Sequence, residues 1–380
     1  MEGIDLKSIL KELEKFNKNK LNLMQLSSDR YTIHYQDSKS IKTAYCFSVP
    51  IHNIETNEIV DFKLSHISNE STFIASESKI IINEKVTMFN QYGKCNIIIQ
   101  GKLFKRTNEA ILFKNGNEYT EIRPTINGIM LIATYNPLSA PPKIILQFNN
   151  SFENVKQSSK FFSVMREKFT PFIIASSIGT IDASEKVIMP CAIHSEKIND
   201  TEFILSIHTE SKSKVLVAIE INMHETKLFQ DTTVESKHSD LNNAFGGISF
   251  LGRSNFFGEQ ILYSRLEFSN IPYLQNKKIY KSVLHIPNLG NTVSSLTVNK
   301  LSDRFCSFGS NWETKTSITN TIAHSTFSNG YYHLDLTTLL GDFNKSSENF
   351  AIQCASTNKY VVIPTADNFY TPQILEVKYQ

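Results

Sequence analysis

The chain opens with apolar residues spaced three and four apart: Leu6, Ile9, Leu10, Leu13 and Phe16. Lys7, Lys11, Glu12, Glu14 and Lys15 fall on the other side, and Asp5 stands where a helix N-cap belongs. The spacing predicts a short amphipathic helix with one apolar stripe, as a surface helix shows when it packs on its own domain. A polar stretch, Asn17 to Lys20, follows it.

Beyond about residue 30 the period drops to two or gives way to short apolar runs. Thr43-Ala-Tyr-Cys-Phe-Ser-Val49, Gly128-Ile-Met-Leu-Ile-Ala-Thr-Tyr135, Lys143-Ile-Ile-Leu-Gln-Phe148 and Glu202-Phe-Ile-Leu-Ser-Ile-His208 are examples. They are rich in β-branched and aromatic residues and are separated by Asn, Gly, Ser and Pro. The pairs Asn115-Gly116 and Asn127-Gly128 are strong turn signals. Many short strands with regular turns predict an all-β protein of sandwiches or barrels. The alternation of strand and helix that builds a doubly wound nucleotide-binding fold is missing. The expected organisation is an N-terminal helix and polar arm over 1–30, a β-sandwich over 31–150, a linker and smaller β-rich unit over 151–225, and a second full sandwich over 226–380. The linker rests on the polar run 149–160.

A length of 380 residues is enough for two to three such units at about 150 residues each. Lys and Arg number 39 against 37 Asp and Glu, a formal charge of +2. That balance argues against a dedicated nucleic-acid binder and gives no reason for adsorption to anionic membranes. No run of about 18 uncharged apolar residues predicts a membrane-spanning helix. The first twenty residues have no apolar core and no small-residue cleavage site, so a secretory signal peptide is not expected. The five cysteines, Cys46, Cys95, Cys191, Cys306 and Cys354, are scattered and odd in number, which predicts free thiols made in a reducing compartment.

Candidate chemistry is sparse. The ten histidines are dispersed, with no His-Glu-x-x-His and no Cys/His cluster of metal-ligand spacing. There is no Gly-x-Ser-x-Gly elbow and no Walker loop, and the glycines around Phe245 to Gly252 flank a strand instead of opening a helix. No catalytic residues are expected, and the chain reads as a non-enzyme. Trp312, the single tryptophan, is expected to be buried as an anchor.

The last block carries a resemblance. Asp231-Thr-Thr-Val234, Asn242-Asn-Ala-Phe-Gly246 and Ile248-Ser-Phe-Leu-Gly252 are similar to the opening of the DNRLRE domain. Further segments resemble that domain in order: Ile261-Leu-Tyr-Ser-Arg-Leu-Glu-Phe268 with Ile271-Pro272, Ile279 to Ile286, Ser295 to Asp303 followed by Asn311-Trp-Glu313, Tyr331 to Leu340, Asn349 to Gln353 and Pro372 to Tyr379. The hexapeptide that names the family is not spelled out. The resemblance covers about 226–380 and implies an antiparallel, jelly-roll-like β-sandwich of bacterial surface proteins, with a binding or structural role. Its relatives include carbohydrate-binding modules, and some carbohydrate-binding sandwiches hold a structural calcium. Asp231, Asp240 and Asn242 would supply oxygen ligands near one turn, although capping of that turn by their side chains is the preferred reading.

A surface-type domain without a signal peptide points to a protein made in the cytoplasm and assembled outward. The expected function is that of a non-enzymatic structural protein of a surface layer, such as a spore coat, exosporium or phage-like particle. Its partners would be other layer or particle proteins and further copies of itself, with no nucleic acid and no membrane insertion. The alternative is a carbohydrate-binding module protein that recognises a glycan, extracellular if a signal peptide has been removed.

Overall fold

A computed structural model describes residues 24–36, 40–152, 154–167, 170–181, 188–223, 228–293, 295–356 and 358–380. The expected N-terminal helix lies outside the described residues. The polar arm expected up to residue 30 contains a strand, Met24–Ser28.

Strands dominate, and they form four antiparallel sheets that divide between two compact units. One unit takes residues 53–225 with 245–248; the other takes 1–52, 226–244 and 249–380. The chain is thus organised differently from the expected 31–150, 151–225 and 226–380. The polar run at 149–160 is no interdomain linker: it contains the edge strand Val155–Gln157, paired with Phe161–Glu167. The segments after it supply central strands to the same unit as those before it. Glu202–Thr209 lies beside Lys143–Phe148, and Val215–Met223 lies beside Gly128–Tyr135.

The inserted unit packs an eight-stranded sheet on a nine-stranded one around a single core. Strands with one face inward alternate: Phe203, Leu205 and Ile207 of Glu202–Thr209 are buried, and their neighbours are not. Gly128–Tyr135, central in the larger sheet, carries apolar residues on both faces and is buried at every position but its last. At one edge the two sheets are laced together. Leu64 N–H donates to Asn108 O at 2.7 Å, His66 Nε2 lies 3.0 Å from Thr107 O, and the Arg106 guanidinium donates to the carbonyls of Ser68 and Asn69.

The other unit packs two seven-stranded sheets. One has the order Met24–Ser28, Thr32–Gln36, Lys42–Phe47, Ile374–Tyr379, Ile279–Pro287, Tyr331–Asp335 and Thr326–Ser328. Strands from the start of the chain therefore complete a sheet whose remainder comes from its end: Lys42 stands opposite Tyr379, and Phe47 opposite Ile374. Ala44, Cys46, Leu375, Val377 and Leu284 of this sheet share a core with Leu251, Leu262, Val298 and Ile352 of the facing one. The resembled block is thus not a closed unit; it is completed by strands that precede the insertion.

Candidate functional site

An open cleft of about 370 Å³ lies in the second unit, where Ile248–Ser254 runs beside Tyr360–Pro364. Its position depends on Gly252, whose φ is +107°; a Cβ there would stand 2.1 Å from Lys359 O. Only glycine takes both that backbone conformation and that approach without strain. The approach lets Arg253 N–H donate to Lys359 O at 3.1 Å, which sets Arg253 and Lys359 side by side with both side chains in solvent. On the far side, Leu289 N–H donates to Val362 O and Val362 N–H donates to Gly290 O, bringing Asn291 up to Tyr360.

The cleft is lined by Arg253, Asn255, Asn291, Asn358, Lys359 and Tyr360, among others. Tyr360 is half-buried, edge-on against Phe250 at 5.7 Å. Burial raises the pKa of its hydroxyl, partly offset by the Asn291 side-chain hydrogen bond. A third cation, Lys237, is tied to the Asn255 carbonyl, and Glu259 stands opposite Arg253 across the hairpin. Amides, two exposed cations and one aromatic ring can hold a hydroxyl-rich ligand by many directed hydrogen bonds.

The three residues singled out as oxygen ligands, Asp231, Asp240 and Asn242, each engage other partners. Asp231 is buried in Phe229–Glu235, and its Oδ2 accepts from Ala366 N–H at 2.6 Å. Asn242 donates from Nδ2 to the carbonyls of Ser307 and Ser310 and accepts at Oδ1 from Ala244 N–H. That is the capping arrangement, an Asx turn that also staples the 305–316 loop. Asp240 is exposed, and its carbonyl accepts from Asn311 Nδ2. Among the described residues, no group of three or more His, Cys, Asp or Glu is placed to hold a metal ion.

Trp312 is half-buried, short of the burial expected. Its inner side packs on the cluster of Val234, Tyr263, Leu301 and Phe305, while Lys315 Nζ sits 3.9 Å from the ring centroid and donates to Trp312 O at 2.8 Å. The ammonium lies over the ring face that a sugar would use.

All five cysteines are free. Burial pushes the Cys46 thiol up to about 12 and the Cys191 thiol up to about 11, and raises Cys95 as well. Cys306 is exposed and Cys354 half-buried. Thiolate is the reactive form. A colorimetric thiol reagent is therefore expected to modify Cys306 quickly, Cys354 more slowly, and the other three only after denaturant is added. A third thiol that reacts in the native protein would contradict this burial pattern.

No motif or spacing pointed to the cleft. Its parts come from positions 253–255, 291–292 and 358–360, and the one available signal was a glycine, Gly252, inside an apolar strand.

No protein-family model matches the chain, and no curated protein matches it either. Among solved structures, it is similar to the N-terminal domain of the Streptococcus gordonii adhesin Sgo0707, with 8% identity, 93% of each chain covered and a TM-score of 0.18. It is also similar to a Paenibacillus xanthan lyase, with 9% identity over 98% of this chain and 40% of the lyase, at a TM-score of 0.11. Neither superposition establishes a shared fold. Among the described residues, no helix is long and apolar enough to cross a membrane.

Proposed function

We propose that this chain is a non-catalytic structural protein of a bacterial surface layer, of the spore coat, exosporium or phage-like particle kind, assembled through its β-sandwich units. The observation that carries the reading is the topology. One sandwich is inserted between two strand-bearing segments of another, and the outer sandwich is fastened by pairing Lys42–Phe47 with Ile374–Tyr379. Such a chain ties its inserted unit to the outer one at both ends of 53–225 and again around 245–248, and it closes its outer sheet with a long-range ladder. A building block under mechanical or proteolytic stress gains from both. The resemblance of 226–380 to bacterial surface sandwiches supports the same reading. Fractionation of the native host tests it. The protein is expected with spore or particle surface material, resistant to salt washing. Recovery as free cytosolic protein at every growth stage would sink the proposal.

A second reading, a carbohydrate-binding protein, is favoured by the Arg253–Tyr360 cleft. If it holds, a glycan array should return a ligand of micromolar affinity. Replacing both exposed cations, Arg253→Ala with Lys359→Ala, should weaken that affinity at least tenfold with the melting temperature unchanged, since neither side chain is buried. A hit whose affinity survives the double substitution would place glycan binding elsewhere.

A further inference from the structure

A polar chain crosses four strands of the sheet that closes the outer unit. Glu376 Oε2 lies 3.1 Å from His285 Nε2, His285 Nδ1 lies 2.7 Å from His333 Nδ1, and His333 Nε2 lies 3.0 Å from Ser328 Oγ and 3.3 Å from Ser328 O. The strands position it: His285 and His333 are direct cross-strand partners, and Ser328 stands opposite Tyr331 at the foot of the same hairpin. Glu376 and His285 are buried, His333 is half-buried, and Ser328 is exposed at the sheet edge.

Proton positions follow from the outer partners. A carboxylate only accepts, so His285 Nε2 carries a hydrogen. The Nδ1···Nδ1 contact then needs one proton between the rings: with none, two lone pairs face each other. A zinc ion with Zn–N bonds of about 2.0–2.1 Å would hold two nitrogens roughly 3.3 Å apart in tetrahedral geometry, too wide for this gap. At the outer end, Ser328 offers both a carbonyl and a hydroxyl, so His333 Nε2 is satisfied either as donor or as acceptor. The pair is thus complete with two ring protons or with three. It is not complete with four, because two N–H groups would then meet across 2.7 Å.

We propose that His285 and His333 form an acid-triggered latch: one proton shared across the Nδ1 gap fastens the edge hairpin 326–335 to its sheet, and full protonation of both rings releases it. The groups facing the pair set the range in which this happens. Glu376 favours the charged pair, while Lys281 on the strand of His285 and Lys378 beside Glu376 oppose it. Burial works against the Glu376 carboxylate, but the hydrogen bond and charge of His285, with Lys378 at 3.5 Å, hold its pKa below the usual value. Tyr45 lies opposite Glu376, Tyr331 stacks on His333, and the Asp335 carboxylate is engaged by Thr337. Burial, and then the charge of His285, lower the His333 pKa from 6.5 to about 4. The folded hairpin therefore binds fewer protons than the unfolded one. The stability it gains is present above about pH 6.5 and is lost as the pH falls from there through 4.

Hydrogen–deuterium exchange of the full-length protein at pH 7 and pH 4.5, corrected for intrinsic exchange rates, tests the latch. Protection of Thr326–Ser328 and Tyr331–Asp335 is expected to fall at least tenfold in acid, while Gly128–Tyr135 of the other unit keeps its protection. His333→Asn, which keeps a polar side chain but cannot charge, should remove the acid response. Unchanged hairpin protection at pH 4.5, or the same acid loss in His333→Asn, would overturn the proposal. Histidine-selective ¹⁵N NMR of the unsubstituted protein gives an answer independent of the variant. At pH 7 one Nδ1-bound proton is expected in the pair, and two such protons, or none, would equally refute it.

Discussion

A fragment covering 226–380, expressed alone, is expected to be insoluble or to show no cooperative melt. The resemblance of that block to a complete domain suggests the opposite, and the reason for failure is specific. Without Thr32–Gln36 and Lys42–Phe47, the strand Ile374–Tyr379 becomes an open edge, with its ladder to Lys42–Phe47 unmade. Ala44 and Cys46 are removed from the core beside Leu375 and Val377, and Tyr273 loses its 2.5 Å hydrogen bond to Thr32. Each large apolar side chain left uncovered costs about 1.5–3 kcal/mol, so a few of them consume the roughly 5–15 kcal/mol by which a domain is stable. Residues 53–225, by contrast, contain both sheets of the inserted unit and are expected to give a β-type circular dichroism spectrum and a single thermal transition. A cooperative melt from 226–380, together with an unfolded 53–225, would reverse this partition.

Gly128→Ala is expected to be the most damaging single methyl addition in the inserted unit. A Cβ at that position would stand 2.1 Å from Ile221 O and 2.6 Å from Asn222 Cα, both backbone atoms of the paired strand. Neither can swing aside as a side-chain tip can. The strand is central, and the turn behind it is fixed. Asn127 donates to Met223 O and accepts from Ser78 Oγ, and Thr125 Oγ1 donates to Asn222 Oδ1. The cost is expected at or above the roughly 1–3 kcal/mol usual for overpacking, a fall in Tm on the order of 10 °C. Gly116 sits in the other Asn-Gly turn of the inserted unit, with φ at +60° and nothing near its would-be Cβ. Gly116→Ala should cost only the left-handed strain, about 1–2 kcal/mol. Equal Tm losses in the two variants, measured by calorimetry, would contradict the close approach at Gly128.

These two turns also mark what was legible in the sequence. Asn115-Gly116 and Asn127-Gly128 each announced a turn, and the runs 128–135 and 143–148 became strands with those very bounds. Period and composition carry that information because each residue reports its own burial. Which strands pair is another matter. Alternation says which side chains face inward but not which neighbour they meet. So the partnership of Lys42–Phe47 with Ile374–Tyr379 left no local trace, and the domain boundaries went wrong with it. The polar run 149–160 misled for a related reason: an edge strand with one wet face can look like a linker. The same limit hid both sites. His285 and His333 meet because of a register, and Arg253 meets Lys359 because a glycine lets two backbones touch. Neither relation is written in a spacing.

The ladder between Lys42–Phe47 and Ile374–Tyr379 also sets an order of events during synthesis. The first strand leaves the ribosome roughly 330 residues before its partner, which at about 5–20 residues per second is a wait of about 16–65 s. Every strand of the inserted unit is translated within that interval. The inserted unit therefore has time to fold while Lys42–Phe47, paired on one side with Thr32–Gln36, keeps its other edge open, and the outer sheet closes only when residues 374–379 emerge. A nascent chain stalled before residue 374 would carry one finished unit and one open sheet edge, so the window for pairing with a neighbouring chain closes with the final strand.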